Sequence, residues 1–233
     1  MTKIRLNRIY RTKEASDTRN GRPIIVMFTM LCCLIANICH GFDPAGFDRM
    51  DKTRPHQCVG CDLTGIDIDG WEMDDSILRD ANMRRANLAH AEFESADLRG
   101  ADLREANVFM VVFSRANLGK ANLSKLDLRS ATINDANLSG ADLSETNLKD
   151  GTLLGADLSS ADLHLSVCSG ANLRYTNLRK ADFRRAALDN ADLRGADLTE
   201  ANLEGADLRG AKLTDAIWAD GRKCKTGSEG VCR

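Results

Sequence analysis

Apolar and polar positions recur every five residues along most of the chain, without an insertion or deletion from Cys61 to Asp215. The third residue of each of these thirty-one pentads is apolar, from Leu63 to Leu213. The first residue is alanine in twenty-one pentads, and the second is Asp or Asn in twenty-two. The fourth and fifth residues are mostly polar, charged or glycine, as in ADLRG, ANLSG and ANLEG.

A five-residue period fits neither a helix nor a flat strand. It would scatter the leucines around a helix and alternate them between the two faces of a strand. A chain that turns one corner per pentad satisfies the period, with the first and third residues pointing inward. Four corners close a square coil of about twenty residues, whose backbone groups pair with the coils above and below. At a strand spacing of about 4.8 Å, the pentads predict roughly eight coils.

These pentads resemble the A(D/N)LXX consensus of the pentapeptide-repeat family, over about two thirds of the chain. The resemblance implies an all-β fold, the right-handed quadrilateral β-helix, whose handedness the period alone does not define. Leucine-rich and helical repeats are excluded because their repeats have a different length. Members of the family share a fold without a shared activity, so the resemblance does not name a partner.

The N-terminal part of the chain differs from the repeats. Seven basic residues lie within residues 1–22, and residues 24–39 carry no charge (IIVMFTMLCCLIANIC). This order predicts a signal peptide or an N-terminal membrane anchor over residues 1–41, with a wrongly assigned start as a third alternative. Either main alternative makes the protein periplasmic or secreted, or anchored in the inner membrane with the solenoid outside the cytoplasm. The other predicted segments are a linker (42–57), the repeat solenoid (58–215) and a C-terminal cap (216–233).

The twenty-residue register predicts which large side chains meet in the core. Phe93 and Phe113 are both third-position residues, so we expect their rings to stack inside the rod. Ile66 and Trp71 replace alanine at the first position near the N-terminal end, where larger side chains help to close the core. Trp218 continues the third-position register beyond the last regular pentad, and we expect it to plug the C-terminal end.

The eight cysteines fall into separate classes. Three lie in the export segment, and Cys168 occupies a third position as a small buried hydrophobic residue. Cys58 and Cys61 form a CVGC motif at the N-terminal end, whereas Cys224 and Cys232 lie in the C-terminal tail. The two pairs lie at opposite ends of the rod, so they cannot share a zinc ion, whose thiolate ligands lie about 2.3 Å away. In an exported chain we predict two local disulfides, with a redox centre or free thiols as alternatives.

The repeats offer no arrangement of side chains for catalysis. His90 and His164 are outward residues on different sides of the rod, and neither shares a stack with a Ser or Cys nucleophile. The Asp and Asn residues at the second position are predicted to accept hydrogen bonds from the local backbone at the turns, with a calcium ladder as the alternative. The sequence therefore predicts neither an enzyme nor a cofactor or metal site.

Two functions remain. The first is a non-catalytic, exported structural or protein-interaction scaffold with a protein partner. The alternative is a DNA-mimic modulator of a topoisomerase, as in the quinolone-resistance members of the family that act on DNA gyrase. That alternative needs a cytoplasmic protein with a continuous acidic face, whereas residues 61–215 mix twenty-seven acidic with eighteen basic side chains. We expect no nucleic-acid partner, membrane contact only through residues 24–39, and a monomer or weak dimer.

The consensus fails most clearly over residues 107–114, which read NVFMVVFS. Phe109, Met110 and Val112 occupy the fourth, fifth and second positions, which point towards solvent. We predict a docking site for a partner at these three residues, because contiguous exposed apolar surface usually marks an interface. The alternatives are a local departure from the consensus that has no function, and an apolar patch that the linker covers. Further outward apolar residues on the neighbouring sides are Leu154, Leu165 and Val167.

Overall fold

The structure, a computed structural model, describes residues 57–233. Within that range the backbone forms no helix and no continuous strand, and isolated parallel β-bridges at the second pentad position link the coils. Each parallel bridge joins residues twenty apart, from Gln57 with Ile77 to Asp197 with Ile217. The predicted twenty-residue register is therefore confirmed, and the ladder begins at Gln57, the last residue of the predicted linker.

The predicted export segment, including residues 24–39, lies outside the described residues. Among residues 57–233, no helix is long and apolar enough to cross a membrane.

Each corner of the rod is a tight turn at the fourth and fifth positions of a pentad. Every fifth-position residue from Gly60 to Asp215 has a positive φ, between 54° and 71°. The next first-position N–H donates back to the third-position carbonyl, as from Ala81 to Leu78 at 3.2 Å. This is the geometry of a type II turn. The second-position side chain supports it, since Asn137 Oδ1 accepts the Ser139 N–H at 2.9 Å. The predicted role of Asp and Asn at the turns is confirmed.

The core is a column of first- and third-position side chains. All third-position side chains from Leu78 to Leu198 are buried. Phe93 and Phe113 stack within this column, with ring centroids 5.4 Å apart and an interplanar angle of 29°. This confirms the predicted pairing. Small alanines opposite large leucines let the narrow interior fill completely, which gives each coil a rigid position on its neighbours.

The C-terminal tail folds back over the last coil. Antiparallel bridges join Lys212 with Glu229 and Ile217 with Lys223. Leu213 also donates its N–H to the Ser228 carbonyl at 2.9 Å. The half-buried Trp218 packs against the core at this end, in the place that the register predicts. The tail therefore pairs part of the backbone edge that an uncapped solenoid would expose.

Candidate functional site

The hydrogen-bond ladder opens at one place on one side of the rod. Among the second-position pairs between Gln57–Ile77 and Asp197–Ile217, the bridge from Asn107 to Asp127 is missing. Within the described part of the chain, five neighbouring peptide N–H groups have no hydrogen-bond partner: those of Glu105, Val108, Met110, Asp127 and Ser130. The pentads 106–110 and 126–130 are therefore held together by the core and the turns, but not by direct backbone pairing.

Two oversized inward side chains border this break. From Ala81 onwards, first positions hold Ala, Gly, Ser or Thr, except for Val111 and Leu126. Leu126 is buried with 3% exposure, in a column where Ala106 precedes it and Thr146 follows it. A leucine needs more height than the alanine column provides, and close-packed interiors transmit such strain to their neighbours. We attribute the break to Leu126, because the ladder beside Val111 is intact.

A groove of about 440 Å³ lies at the break. Residues 106–109 form one wall, residues 127, 129 and 130 form the opposite wall, and residues 149 and 150 extend it. Asn107 and Asp127 are exposed, whereas most second-position side chains in the middle of the rod are half-buried. The groove thus combines uncovered peptide groups with the polar side chains at its rim.

One residue of the predicted apolar patch, Phe109, lines this groove, and Met110 follows it along the chain. Phe109 is 53% exposed and Met110 is 49% exposed. The Phe109 ring also meets the His90 ring edge-on, with centroids 5.5 Å apart. Val112 is only half-buried, and its backbone is bridged to Glu92 and Thr132. The patch is therefore formed mainly by Phe109 and Met110, with Val112 at its border.

The sequence profile of the family described as pentapeptide repeats matches the chain over residues 57–93, 72–104, 112–150, 152–188 and 176–215. These matches cover well over half of the chain. The protein belongs to the pentapeptide-repeat family. Proteins of this family fold as right-handed quadrilateral β-helices and are generally non-enzymatic. Residues 105–111, which the profile leaves unmatched, include one wall of the open ladder.

Solved structures of pentapeptide-repeat proteins are similar to this chain. QnrB1, a plasmid-mediated fluoroquinolone resistance protein, is 18% identical with a TM-score of 0.61, over 72% of this chain and 91% of that one. HetL, involved in heterocyst differentiation regulation in the cyanobacterium Nostoc sp. strain PCC 7120, is 28% identical with a TM-score of 0.44. The HetL match covers 73% of this chain and 93% of HetL. No curated protein sequence matches. The likeness to QnrB1 shows the fold alone.

The pentapeptide pattern also places several arginines beside an aspartate of the same pentad, with which they form ion pairs. Arg104 donates from Nε and Nη2 to the two carboxylate oxygens of Asp102, at 2.9 and 2.6 Å. The same second-to-fourth-position ion pair recurs in five other pentads: Asp97–Arg99, Asp127–Arg129, Asp182–Arg184, Asp192–Arg194 and Asp207–Arg209. The arginine hydrogen bond lowers the pKa of the aspartate in these pairs, that of Asp207 to about 2. The faces of the rod thus present paired charges of both signs.

Arg174 departs from this pairing rule, because Asn172 stands where the paired aspartate would be. Its Nε is buried without a hydrogen-bond partner, and no carboxylate of residues 57–233 forms an ion pair with it. The guanidinium lies over the Tyr175 ring, 5.3 Å from the centroid. Tyr175 is 62% exposed. Tyr175 is not among the outward residues predicted from the sequence, although its fifth position in the pentad, which points towards solvent, was a usable signal.

Two cysteine pairs lie at the two ends of the rod. Cys58 and Cys61 are bonded with their Cα atoms 5.5 Å apart, and Cys224 and Cys232 with their Cα atoms 4.9 Å apart. All four are buried. Cys168 is a free, fully buried thiol in the core, as the third-position register predicts. Burial raises the pKa of Cys168 to about 11, which keeps it protonated and unreactive at neutral pH.

The two histidines of the repeats each contact an aspartate. His90 Nδ1 is 3.0 Å from Asp69 Oδ1, and His164 Nδ1 is 2.7 Å from Asp162 Oδ1. Each contact joins two solvent-accessible side chains. Within residues 57–233, no group of three His, Cys, Asp or Glu side chains is placed to hold a metal ion.

Proposed function

We propose that this protein is an exported, non-catalytic interaction scaffold that binds a protein partner at the open ladder. The observation that carries the proposal is the coincidence of two departures from the repeat. The backbone ladder opens between pentads 106–110 and 126–130, and the exposed apolar pair Phe109 and Met110 lies at the same place. We refer to this surface as the ladder-break site.

The ladder-break site has the features of a protein interface. Exposed aromatic and methionine side chains beside a concave surface supply most of the energy in many protein complexes. The regular ladder above and below the break holds the site in a fixed shape, so little conformational entropy is lost on binding. A repeat rod of about eight coils suits such a role, because each coil contacts only its neighbours. A local departure from the consensus therefore leaves the distant coils unchanged.

Export is supported by two independent features. Basic residues followed by an uncharged segment at residues 24–39 are typical of an export signal or anchor. The bonded pairs Cys58–Cys61 and Cys224–Cys232 suit an oxidising compartment, where disulfides persist. Cell fractionation with N-terminal sequencing of the recovered protein tests this part. Full-length, untrimmed protein that is soluble in the cytoplasm would refute it and would favour the DNA-mimic alternative.

A pull-down tests the interaction. Wild-type protein and the double variant Phe109→Ser with Met110→Ser are used as bait against an extract of the cells that naturally produce the protein. Leu165→Ser with Val167→Ser is the matched control, because these residues are exposed at 47% and 37% and do not line the groove. Val167 lies on the same side of the rod, one coil beyond the groove, where it is bridged to Asn147. The proposal predicts that only the first variant loses a partner. If both variants capture everything that the wild type captures, the ladder-break site is not an interface.

A further inference from the structure

We infer that residues 42–56 of this same chain dock on the N-terminal end of the rod and cap it. They would add three further sides of a coil beneath the first full coil. This end lies opposite the C-terminal tail and does not involve the ladder-break site. A rod that is capped at both ends offers no open backbone edge to a second rod.

The backbone groups that such a cap would pair are identified by the regular coils. In each coil the second-position N–H donates to the preceding coil, as from Asn82 to the Cys61 carbonyl at 2.8 Å. The carbonyls of the second and fourth positions accept from the preceding coil, as at Asn82 from Leu63 and at Arg84 from Gly65. These three groups of every pentad therefore point along the rod axis towards the N-terminal end.

The first full coil is open on three of its four sides. Residues 57–60 pair with the fourth side, where Gly60 donates to the Arg79 carbonyl at 2.7 Å. On the other three sides the corresponding groups have no backbone partner within residues 57–233. They are the N–H groups of Asp62, Asp67 and Glu72 and the carbonyls of Asp62, Thr64, Asp67, Asp69, Glu72 and Asp74. No coil lies beyond this edge, so a further segment of backbone has room to pair with it.

The apolar core is also incompletely covered at this end. Leu63 and Ile66 are only half-buried, although they occupy inward positions. Their equivalents one coil later, Met83 and Ala86, are buried with 0% and 1% exposure. The end of the core therefore offers an apolar contact to whatever pairs with the edge.

The segment before Gln57 reaches this edge and carries the core pattern of the repeats. Residues 41–50 read GFDPAGFDRM, so Gly-Phe-Asp recurs after five residues. Ala45 and Phe47 suit the small first and large third positions of a pentad 45–49, and Phe42 suits the third position of the pentad before it. In that register Phe47 would pack beneath Ile68, and Phe42 would pack beneath the half-buried Leu63. Both phenylalanines remain in the chain if residues 1–41 are removed.

Charge complementarity supports the same placement on the third open side. Residues 50–55 would lie beneath pentad 71–75, with one residue more than a pentad, which a bulge at the corner accommodates. They include Lys52 and Arg54, whereas pentads 71–75 and 91–95 hold acidic residues and no Lys or Arg. Within the described part of the chain, no ion pair is formed by the carboxylates of Glu72, Asp74 and Asp75. Exposed ion pairs contribute little energy, so these charges would select the register while the backbone and the phenylalanines hold the cap.

Residue-resolved hydrogen exchange tests the cap on the full chain, purified in detergent so that an uncleaved N-terminal segment stays in solution. The edge amides are those of Asp62, Asp67 and Glu72. The inner amides, one coil later, are hydrogen-bonded at 2.8, 2.7 and 2.9 Å and belong to Asn82, Asn87 and Glu92. In the wild type we expect the edge amides to exchange slower than in an unstructured peptide by roughly tenfold or more. Edge amides that exchange as fast as an unstructured peptide would overturn the inference.

Two sets of variants identify the occupant. Phe47→Ser should speed exchange of the edge amides by roughly tenfold or more and leave the inner amides protected. Asp48→Ser is the matched control, because the register turns Asp48 towards solvent, and it should change neither set. Lys52→Glu with Arg54→Glu should also weaken the protection at position 72. Adding Glu72→Lys with Asp75→Lys, which restores opposite charges, should recover it.

The remaining outcomes also decide the question. Protection of the edge amides that persists in Phe47→Ser, or that disappears on dilution of the wild type, would assign the edge to another occupant such as a second copy and would overturn the inference. If Phe47→Ser exposes the inner amides as well, the first coil has unfolded, and the charge-reversal variants decide. Loss of protection that the second reversal restores would support the cap, and no change in either variant would overturn it.

Discussion

Replacing Leu126 by alanine probes whether this one side chain holds the ladder open. A Leu→Ala change in a packed core normally costs about 2–5 kcal/mol in free energy of unfolding, through lost burial and the cavity that remains. At this position alanine is the residue that the column prefers, so the coils can close over the vacated space. Closure would form hydrogen bonds from the N–H groups of Val108, Met110 and Asp127.

The expected magnitude follows from these two opposing effects. Each recovered hydrogen bond contributes about 0.5–1.5 kcal/mol, so three of them offset most of the lost burial. We expect the free energy of unfolding of Leu126→Ala to lie within about 2 kcal/mol of the wild type. The matched control is Leu128→Ala in the same pentad, because Leu128 is a fully buried third-position residue with its own ladder bond intact. That control should lose the full amount of about 2–5 kcal/mol.

Urea denaturation followed by circular dichroism measures both variants, and amide exchange at Val108, Met110 and Asp127 reports whether the ladder has closed. Closure should slow exchange at these three amides in Leu126→Ala and leave them fast in Leu128→Ala. The reasoning would be refuted if Leu126→Ala is destabilised as much as the control while the three amides still exchange freely. Leu126 would then be an ordinary core residue.

Three other predictions concern the surface, the tail and the response to acid. Phe109→Ser with Met110→Ser should change the free energy of unfolding by no more than about 0.5 kcal/mol in urea, and a loss above about 2 kcal/mol would make these residues structural. Replacing Cys224 and Cys232 by serine should cost about 2–3 kcal/mol by the loop-entropy model, and peptide mapping that finds both thiols free in exported protein would contradict the bond. The pKa of Asp207 is lowered to about 2 in the folded protein. Its stabilising contribution is therefore present above the unfolded value near 3.9 and lost as the pH falls towards 2. The stability difference between wild type and Asp207→Asn should shrink over that range, and a difference that is constant from pH 6 to pH 2 would argue against the ion pair.

The fold could be predicted from the sequence because one short unit is repeated without interruption. A fixed five-residue period leaves few backbone geometries, and the twenty-residue register is sufficient to predict that Phe93 stacks on Phe113. The turn role of Asn137 and its equivalents followed in the same way, since it depends on contacts within a single pentad. Contacts within one pentad, and contacts that the twenty-residue register defines, can therefore be predicted from the sequence alone.

The break in the ladder could not be found by the same reasoning. The exposed residues Phe109 and Met110 were identified from their positions in the pentad, but the loss of hydrogen bonds depends on how adjacent coils fit. The residue to which we attribute it, Leu126, lies sixteen residues after Met110 in sequence and in the next coil of the rod. Leu126 is larger than its neighbours in the column of first-position side chains, Ala106 and Thr146. This difference in size becomes apparent only when residues twenty apart in sequence are compared. The fit between coils is a property of the packed interior rather than of any single pentad.

Residue-resolved hydrogen exchange on the wild-type protein tests the central claim most directly. The amides of Val108, Met110 and Asp127 lack partners, whereas their equivalents one coil earlier are hydrogen-bonded: Leu88 at 2.8 Å, His90 at 2.8 Å and Asn107 at 2.8 Å. We predict fast exchange at the first three amides and strong protection at the second three, although all six lie on the same side of the rod. Equal protection at all six would show that the ladder is continuous there and that the site does not exist.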